Sequence, residues 1–166
     1  MKKSIKIKNI IKPFNKVIQV PGDKSISIRC VLLASQAIGK SKIYNLLESE
    51  DVINSLISIK KLGVKYKKFK SYYQINGFGL NGYNIKKDIV IDAGNSGTLA
   101  RLILGLLIDT KKKITLIGDN SLSRRDFSRV VKPLRLFGAN INSNNNKLPV
   151  SITGSDFLRP IKYYEK

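Results

Sequence analysis

Two stretches of the chain carry residue types that could hold an anion. In Pro21-Gly22-Asp23-Lys24-Ser25-Ile26-Ser27-Ile28-Arg29, Lys24 offers a point charge, Ser25 and Ser27 offer hydroxyl donors, and Arg29 offers a bidentate fork one turn on. In Asp92-Ala93-Gly94-Asn95-Ser96-Gly97-Thr98, followed by Arg101, the glycines allow the backbone close to a ligand, and Asn95, Ser96, Thr98 and Arg101 supply polar contacts. Each stretch runs into an apolar helix pattern, and the unpaired N–H groups of a helix N-terminus favour phosphate or carboxylate. Neither has the glycine spacing of a Walker or dinucleotide-binding loop. Capping by Ser25 or Ser27 in the first turn, and by Thr98 in the second, is the plainer reading of either turn alone. A third group, Arg124, Arg125, Arg129, Lys132 and Arg135, crowds one expected helix, with Arg125, Arg129 and Lys132 on one face. Arg124 and Arg125 fall in its expected first turn, where cations oppose the helix dipole, and that points to an anionic ligand.

The composition removes several chemistries. With no His and one Cys, Cys30, the chain has no catalytic His dyad, His-ligated metal, disulfide or cysteine-rich zinc site, and a reducing, cytoplasmic setting is expected. Its longest apolar run, Leu102 to Ile108, is broken by Gly105 and falls short of the ~20 residues of a membrane span. The opening alternation of Lys and Ile reads as a strand, not a signal peptide. A net charge of +20 from 31 Lys+Arg against 11 Asp+Glu would draw nucleic acid, anionic surfaces or multiply anionic metabolites. Clusters such as Lys65, Lys67, Lys68 and Lys70 also suit strand edges, where lysine discourages edge pairing. A basic nucleic-acid-binding module therefore stays as an alternative, although no such motif is present and the seven Tyr form no stacking platform that spacing can place.

Those residues must be positioned by elements that repeat. Val17 to Val20 reads as a short buried strand, followed by a turn, a helix over about Ser27 to Ile38 and a strand near Lys42 to Leu46. Ser49 then caps a helix with an acidic first turn that stops at Gly63, before strands near 64–69 and 72–76. The same β-α-β-α-β-β order recurs: strand 88–92, helix 98–108, strand 113–117, helix 121–137 stopping at Gly138, and strands near 139–143 and 149–153. The polar run 142–147 reads as a hairpin turn. Gly22 pairs with Gly94 and Arg29 with Arg101 at 72 residues, and Gly63 with Gly138 at 75, so two copies of one unit are expected.

The quoted motifs resemble those of the 5-enolpyruvylshikimate-3-phosphate synthase family. Residues 21–29 look like its phosphate-binding signature and residues 92–101 like its second signature. A third segment is similar from Gly118-Asp119-Asn120-Ser121-Leu122 through Arg125 to Phe137-Gly138-Ala139. The resemblance implies an α/β fold of the inverse α/β barrel type, built from βαβαββ units, of which this chain holds two and lacks a third. It places the units at 13–84 and 85–154, the start of a third at 155–166, and a first strand within 1–12 that belongs to a second domain. It further implies transfer of the carboxyvinyl group of phosphoenolpyruvate to the 5-hydroxyl of shikimate 3-phosphate, with no metal or organic cofactor. By motif, Lys24, Ser25 and Arg29 would hold shikimate 3-phosphate, and Lys24, Gly97 and Arg125 phosphoenolpyruvate. Asn95, Thr98 and Arg101 would shape the second turn. The catalytic acid and base would lie outside this chain, which alone would be inactive. The resemblance carries no specific nucleic acid or membrane partner, and implies a monomeric full-length protein. A degenerate, non-catalytic domain is the remaining alternative. Two positions depart from the motifs: Ile28 replaces a polar residue, and Asp126 replaces a proline after Arg125. Asp126 is expected either to pair with Arg125 or to leave its role to Arg124.

Overall fold

The computed structural model describes residues 4–6, 8, 10, 12–80 and 82–164. Helix α1 (Lys24–Gln36) leads into strand β1 (Ile38–Tyr44), helix α2 (Glu50–Lys61) and strands β2 (Lys65–Lys68) and β3 (Tyr72–Phe78). Then follow β4 (Ile89–Asp92), α3 (Gly97–Gly105), β5 (Ile114–Ile117), α4 (Asn120–Ser123), α5 (Ser128–Phe137), β6 (Asn140–Asn144) and β7 (Lys147–Thr153). The first sheet has the order β1-β3-β2 and the second β4-β5-β7-β6. Only β4 with β5 is parallel among the described ladders. The orders β1-β3-β2 and β5-β7-β6 are the same, so the sequence repeat becomes a repeat of topology.

Helices from both halves share one core. Ile28, Val31 and Leu32 of α1 pack in one cluster with Leu56 and Ile59 of α2 and Leu99, Ile103 and Leu104 of α3, against Ile75, Ile91, Ile114 and Leu116 of the strands. Burying each such side chain stabilises the fold by about 1.5–3 kcal/mol. Ile28 is wholly buried, which explains an apolar residue at a position where the resembling motif is polar. Gly63 and Gly138, the two expected helix stops, have φ of +92° and +116°, a left-handed geometry that ends a helix without a Cβ clash. The hairpin β6–β7 turns tightly on Asn145 and Asn146, at φ +48° and +55°.

Two expectations change. Residues 17–20 join no ladder, and Val17, Ile18 and Val20 are exposed; Asn45 Nδ2 reaches the Val20 carbonyl at 3.4 Å. In the second copy Ala93 N–H bonds the Ile117 carbonyl at 2.9 Å and closes the end of β4, whereas Pro21, 72 residues before Ala93, has no N–H to donate. The helix expected over 121–137 is broken into α4 and α5. Asp126 captures both the N–H and the hydroxyl of Ser128, a local bond that competes with helix, while Phe127 turns into the core with its N–H on the Asn146 carbonyl at 2.8 Å. The strand expected within 1–12 falls partly on residues 1–3, 7, 9 and 11, outside those described.

The helices keep apolar side chains uncovered. Ile26 and Leu33, two turns apart on α1, are 57% and 67% exposed, and Leu102 of α3 and Leu136 of α5 are 42% and 48% exposed. The isolated chain is therefore expected to bind an apolar dye and to self-associate at micromolar concentration. A monodisperse monomer in sedimentation, with no dye fluorescence, would contradict this.

Tyr83, in the connection between the sheets, shares a 2.7 Å hydrogen bond with the Ser35 hydroxyl. Burial pushes its phenol above the ordinary tyrosine value, outweighing the opposing hydrogen bond of Ser35. A raised phenol favours the protonated form in the folded state. Its stabilisation is therefore complete below about pH 10 and is lost as pH rises through the folded value. Tyr83→Phe is expected to flatten the alkaline limb of stability against pH in melts from neutral to strongly alkaline buffer. Tyr73, raised chiefly by burial as well, leaves a residual slope.

Candidate functional site

An open cavity of about 280 Å³ lies where the first turns of α1, α2 and α3 meet. Lys24 and Asp51 enter from α1 and α2, Asn95, Gly97, Thr98 and Arg101 from the second turn and α3, and Arg125 from the α4–α5 connection. Three cations face one carboxylate. A second hollow, of about 240 Å³ at Tyr83, Asn84 and Asp109, carries Lys111 opposite Asp109 and has no such excess of positive charge.

The two helix starts differ from the capping expectation. Asp23 caps α1 by accepting the Ile26 N–H at 2.7 Å, and Ser96 caps α3 by accepting the Leu99 N–H at 3.3 Å. Neither Ser25, Ser27 nor Thr98 is the cap. Ser27 is buried, and its hydroxyl accepts the Leu47 N–H at 3.1 Å, so it is a structural group and not a ligand donor. With α1 starting at Lys24, the Lys24 ammonium pairs with Asp51 at 2.9 Å, bridging the first turns of α1 and α2. Ser25 and Arg29 are exposed to differing degrees on α1, one turn apart, and are outside the lining of this cavity.

Around α3 the arginines are held in different ways. Arg101 Nη1 donates to the Gly97 carbonyl at 3.3 Å, Nη2 donates to the Asp126 carbonyl at 3.1 Å, and the guanidinium lies 5.0 Å from the centre of the Phe127 ring. It ties α3 to the loop that carries Arg125. Arg125 Nη2 donates to Asn95 Oδ1 at 2.5 Å, and Asn95 Nδ2 donates to Asp119 Oδ2 at 2.8 Å. A Cβ on Gly97 would sit 2.7 Å from Arg101 Nη1 and 3.0 Å from Arg125 Nη1, so glycine lets both guanidinia close over the start of α3.

The break in the expected helix rewrites the basic cluster. Arg124 is the C-cap of α4 and Arg125 follows it, so neither opposes the dipole of a first turn, and Arg125 shares no helical face with Arg129 and Lys132. Asp126 does not take Arg125. Its carboxylate is turned to Ser128, whose hydroxyl and N–H hold it below the usual carboxylate range. Arg125, not Arg124, lines the cavity. Arg135 bonds the Ile141 carbonyl at 2.9 Å and serves the packing of α5 on β6.

A profile of EPSP synthase (3-phosphoshikimate 1-carboxyvinyltransferase) matches residues 8–166. The chain belongs to the EPSP synthase family. It is 45% identical over 160 residues to the 3-phosphoshikimate 1-carboxyvinyltransferase of Ruthia magnifica subsp. Calyptogena magnifica, covering 94% of this chain and 36% of that protein. The protein of the same name from Paracoccus denitrificans is 40% identical over 147 residues, covering 87% of this chain and 33% of it. The solved structure of EPSP synthase from Acinetobacter baumannii superposes with a TM-score of 0.79 at 37% identity, over 88% of this chain and 33% of that one. The mixed α/β architecture is therefore that of EPSP synthase, and the chain spans about a third of the length of these relatives.

Within this member of the EPSP synthase family, two acidic residues, one lining the cavity and one behind Asn95, were not expected from sequence. Asp51 was legible only as part of an acidic first turn. Asp119 was legible only as a motif letter, because its contact with Asn95 spans 24 residues and depends on how β4 and β5 pair. The rings show a further difference: Tyr44, Tyr72 and Phe69 come together beside β1 and β3, with centroids 5.4 Å and 4.7 Å apart, a cluster that spacing did not reveal. Among the described residues, no helix is long and apolar enough to cross a membrane.

Proposed function

We propose that this chain supplies one wall of a site for carboxyvinyl transfer from phosphoenolpyruvate to the 5-hydroxyl of shikimate 3-phosphate, with release of phosphate. The observation that carries this reading is the convergence of Lys24, Arg101 and Arg125 on the first turn of α3. Gly97 and Arg125 receive phosphoenolpyruvate: the α3 N-terminus and a guanidinium fork together suit a phosphoryl group. Lys24 stands between the turns and touches both substrates. Ser25 and Arg29, further along α1, hold shikimate 3-phosphate. Asn95, Thr98 and Arg101 shape the second turn.

Both substrates are anions and repel each other. Fixed cations offset that repulsion, hold the 5-hydroxyl near the carbon it attacks, and stabilise charge that develops as phosphate departs. Asp51 holds Lys24 in place, and an arriving anion would compete for it. Proton transfer is assigned to groups outside this chain, in the remaining length that the relatives have, so the 166 residues alone are expected to be inactive. The reading includes the units at 13–84 and 85–154, the start of a third at 155–166, and residues 1–12 as a strand of the second domain. It places the complete protein in the cytoplasm as a monomer, with no specific nucleic-acid partner.

The test has two arms. In the first, the 166-residue chain is titrated with phosphoenolpyruvate while backbone amides are followed by NMR. Saturable shifts at Gly97, Thr98 and Arg125 support the reading, and shifts scattered over the surface lysines oppose it. In the second, this chain replaces the matching third of the Acinetobacter baumannii enzyme. Carboxyvinyl transfer by the folded chimera supports the reading, and a folded but inactive chimera favours a degenerate domain.

A further inference from the structure

Asp119 lies outside the lining of the cavity, yet its carboxylate bonds Asn95, which lines it. Resting on the reading above, we propose that Asp119 is a positioning residue: it turns the Asn95 amide oxygen toward Arg125 and so holds that guanidinium over Gly97. The contacts form a relay. Asp119 Oδ1 accepts the Leu122 N–H at 2.7 Å, Asp119 Oδ2 accepts from Asn95 Nδ2 at 2.8 Å, and Asn95 Oδ1 accepts from Arg125 Nη2 at 2.5 Å. Asp119 N–H also bonds the Gly94 carbonyl at 2.9 Å, so both ends of the relay ride on the same pair of turns.

The donor and acceptor inventory gives the relay its direction. A carboxylate only accepts and a guanidinium only donates, so an amide between them makes both bonds in a single orientation. Capping α4 uses one carboxylate oxygen, and asparagine caps a helix as well as aspartate does. The second oxygen is therefore surplus to the cap and is committed to Asn95. At position 119 an asparagine could keep the cap through its oxygen, but its NH2 would then face Asn95. Asn95 would have to turn its oxygen to residue 119 and its NH2 to the guanidinium, and two donors facing each other would push Arg125 away.

The experiment compares Asp119→Asn, Asn95→Asp and the double variant in the full 166-residue chain. It follows hydrogen exchange of the Arg125 guanidinium by NMR, together with thermal unfolding. Asp119→Asn is expected to keep the wild-type melting temperature and to speed Arg125 exchange about tenfold, as loss of a charged hydrogen bond should. Asn95→Asp places two carboxylates in contact and is expected to lower the melting temperature. In the double variant donor and acceptor have exchanged ends, so slow exchange and the melting temperature both recover, a coupling that independent sites would not show. Three results would overturn the proposal: unchanged Arg125 exchange in Asp119→Asn, a double variant no better than the sum of the singles, or unfolding of Asp119→Asn, which would make the Asp119 charge a requirement of the fold and not of Asn95 alone. If the relay behaves as expected while phosphoenolpyruvate fails to shift Gly97 and Thr98, the functional reading falls and the positioning role stands.

Discussion

Phe127→Ala is expected to destabilise the chain by about 3–5 kcal/mol, the range for emptying a large aromatic site in a core. Phe127 heads the group of largest fully buried side chains, and it sits where α4 gives way to α5. The chain breaks its helix there to bury this ring, and the Arg101 guanidinium rests 5.0 Å from the ring centre. Removing the ring takes away packing and also the floor on which Arg101 lies. Since Arg101 holds the Asp126 carbonyl, the loop that aims Arg125 loosens as well. In thermal melts the loss should exceed about 6 °C for a chain of this size. Phe127→Leu refills much of the volume without the ring, so it should recover most of the stability while Arg101 stays less ordered. A Phe127→Ala protein that melts with wild type would show that the helix break is not driven by burial of the ring.

Arg125→Ala is expected to lower carboxyvinyl transfer by about 10²–10³-fold in the chimera, the cost of removing one preorganised donor from a developing charge. Arg125→Lys should recover little. A lysine has one compact ammonium, whereas this site asks one planar group to bond Asn95 and still present donors to a phosphate. Arg124→Ala is the control, since Arg124 is exposed and outside the cavity lining. Steady-state rates at saturating shikimate 3-phosphate, with phosphoenolpyruvate varied, separate the roles. Equal losses for Arg124→Ala and Arg125→Ala would mean that only the summed charge matters, and the geometric assignment would be wrong.

The predicted site was most legible where the chemistry is local. Lys24, Gly97, Thr98 and Arg101 were named because each lies within or close after a turn that opens a helix, and such a turn can be recognised from a few adjacent residues. The identity of the caps was less legible. Asp23 stands two residues before Ser25 and four before Ser27, and Ser96 two before Thr98, and sequence alone could not say which oxygen would meet the N–H three residues on. The break at 124–127 was hidden because no glycine or proline interrupts the segment before Pro133. Burial of Phe127 and the Asp126–Ser128 bonds overrode the expected helix.

By itself the sequence determined the number and order of most elements, the stops at Gly63 and Gly138, the repeat at 72–75 residues and the cationic and hydroxyl-bearing make-up of two turns. These follow from periodicity, from glycine's access to positive φ and from the charge of side chains near a helix start, all of which act over a few residues. Tertiary structure alone decided that Lys24 meets Asp51 across 27 positions, that Arg125 meets Asn95 across 30, and that Asp119 orients Asn95. Which acid meets which base depends on where sheets and helices come to rest against a shared core. Packing, not spacing, sets those distances.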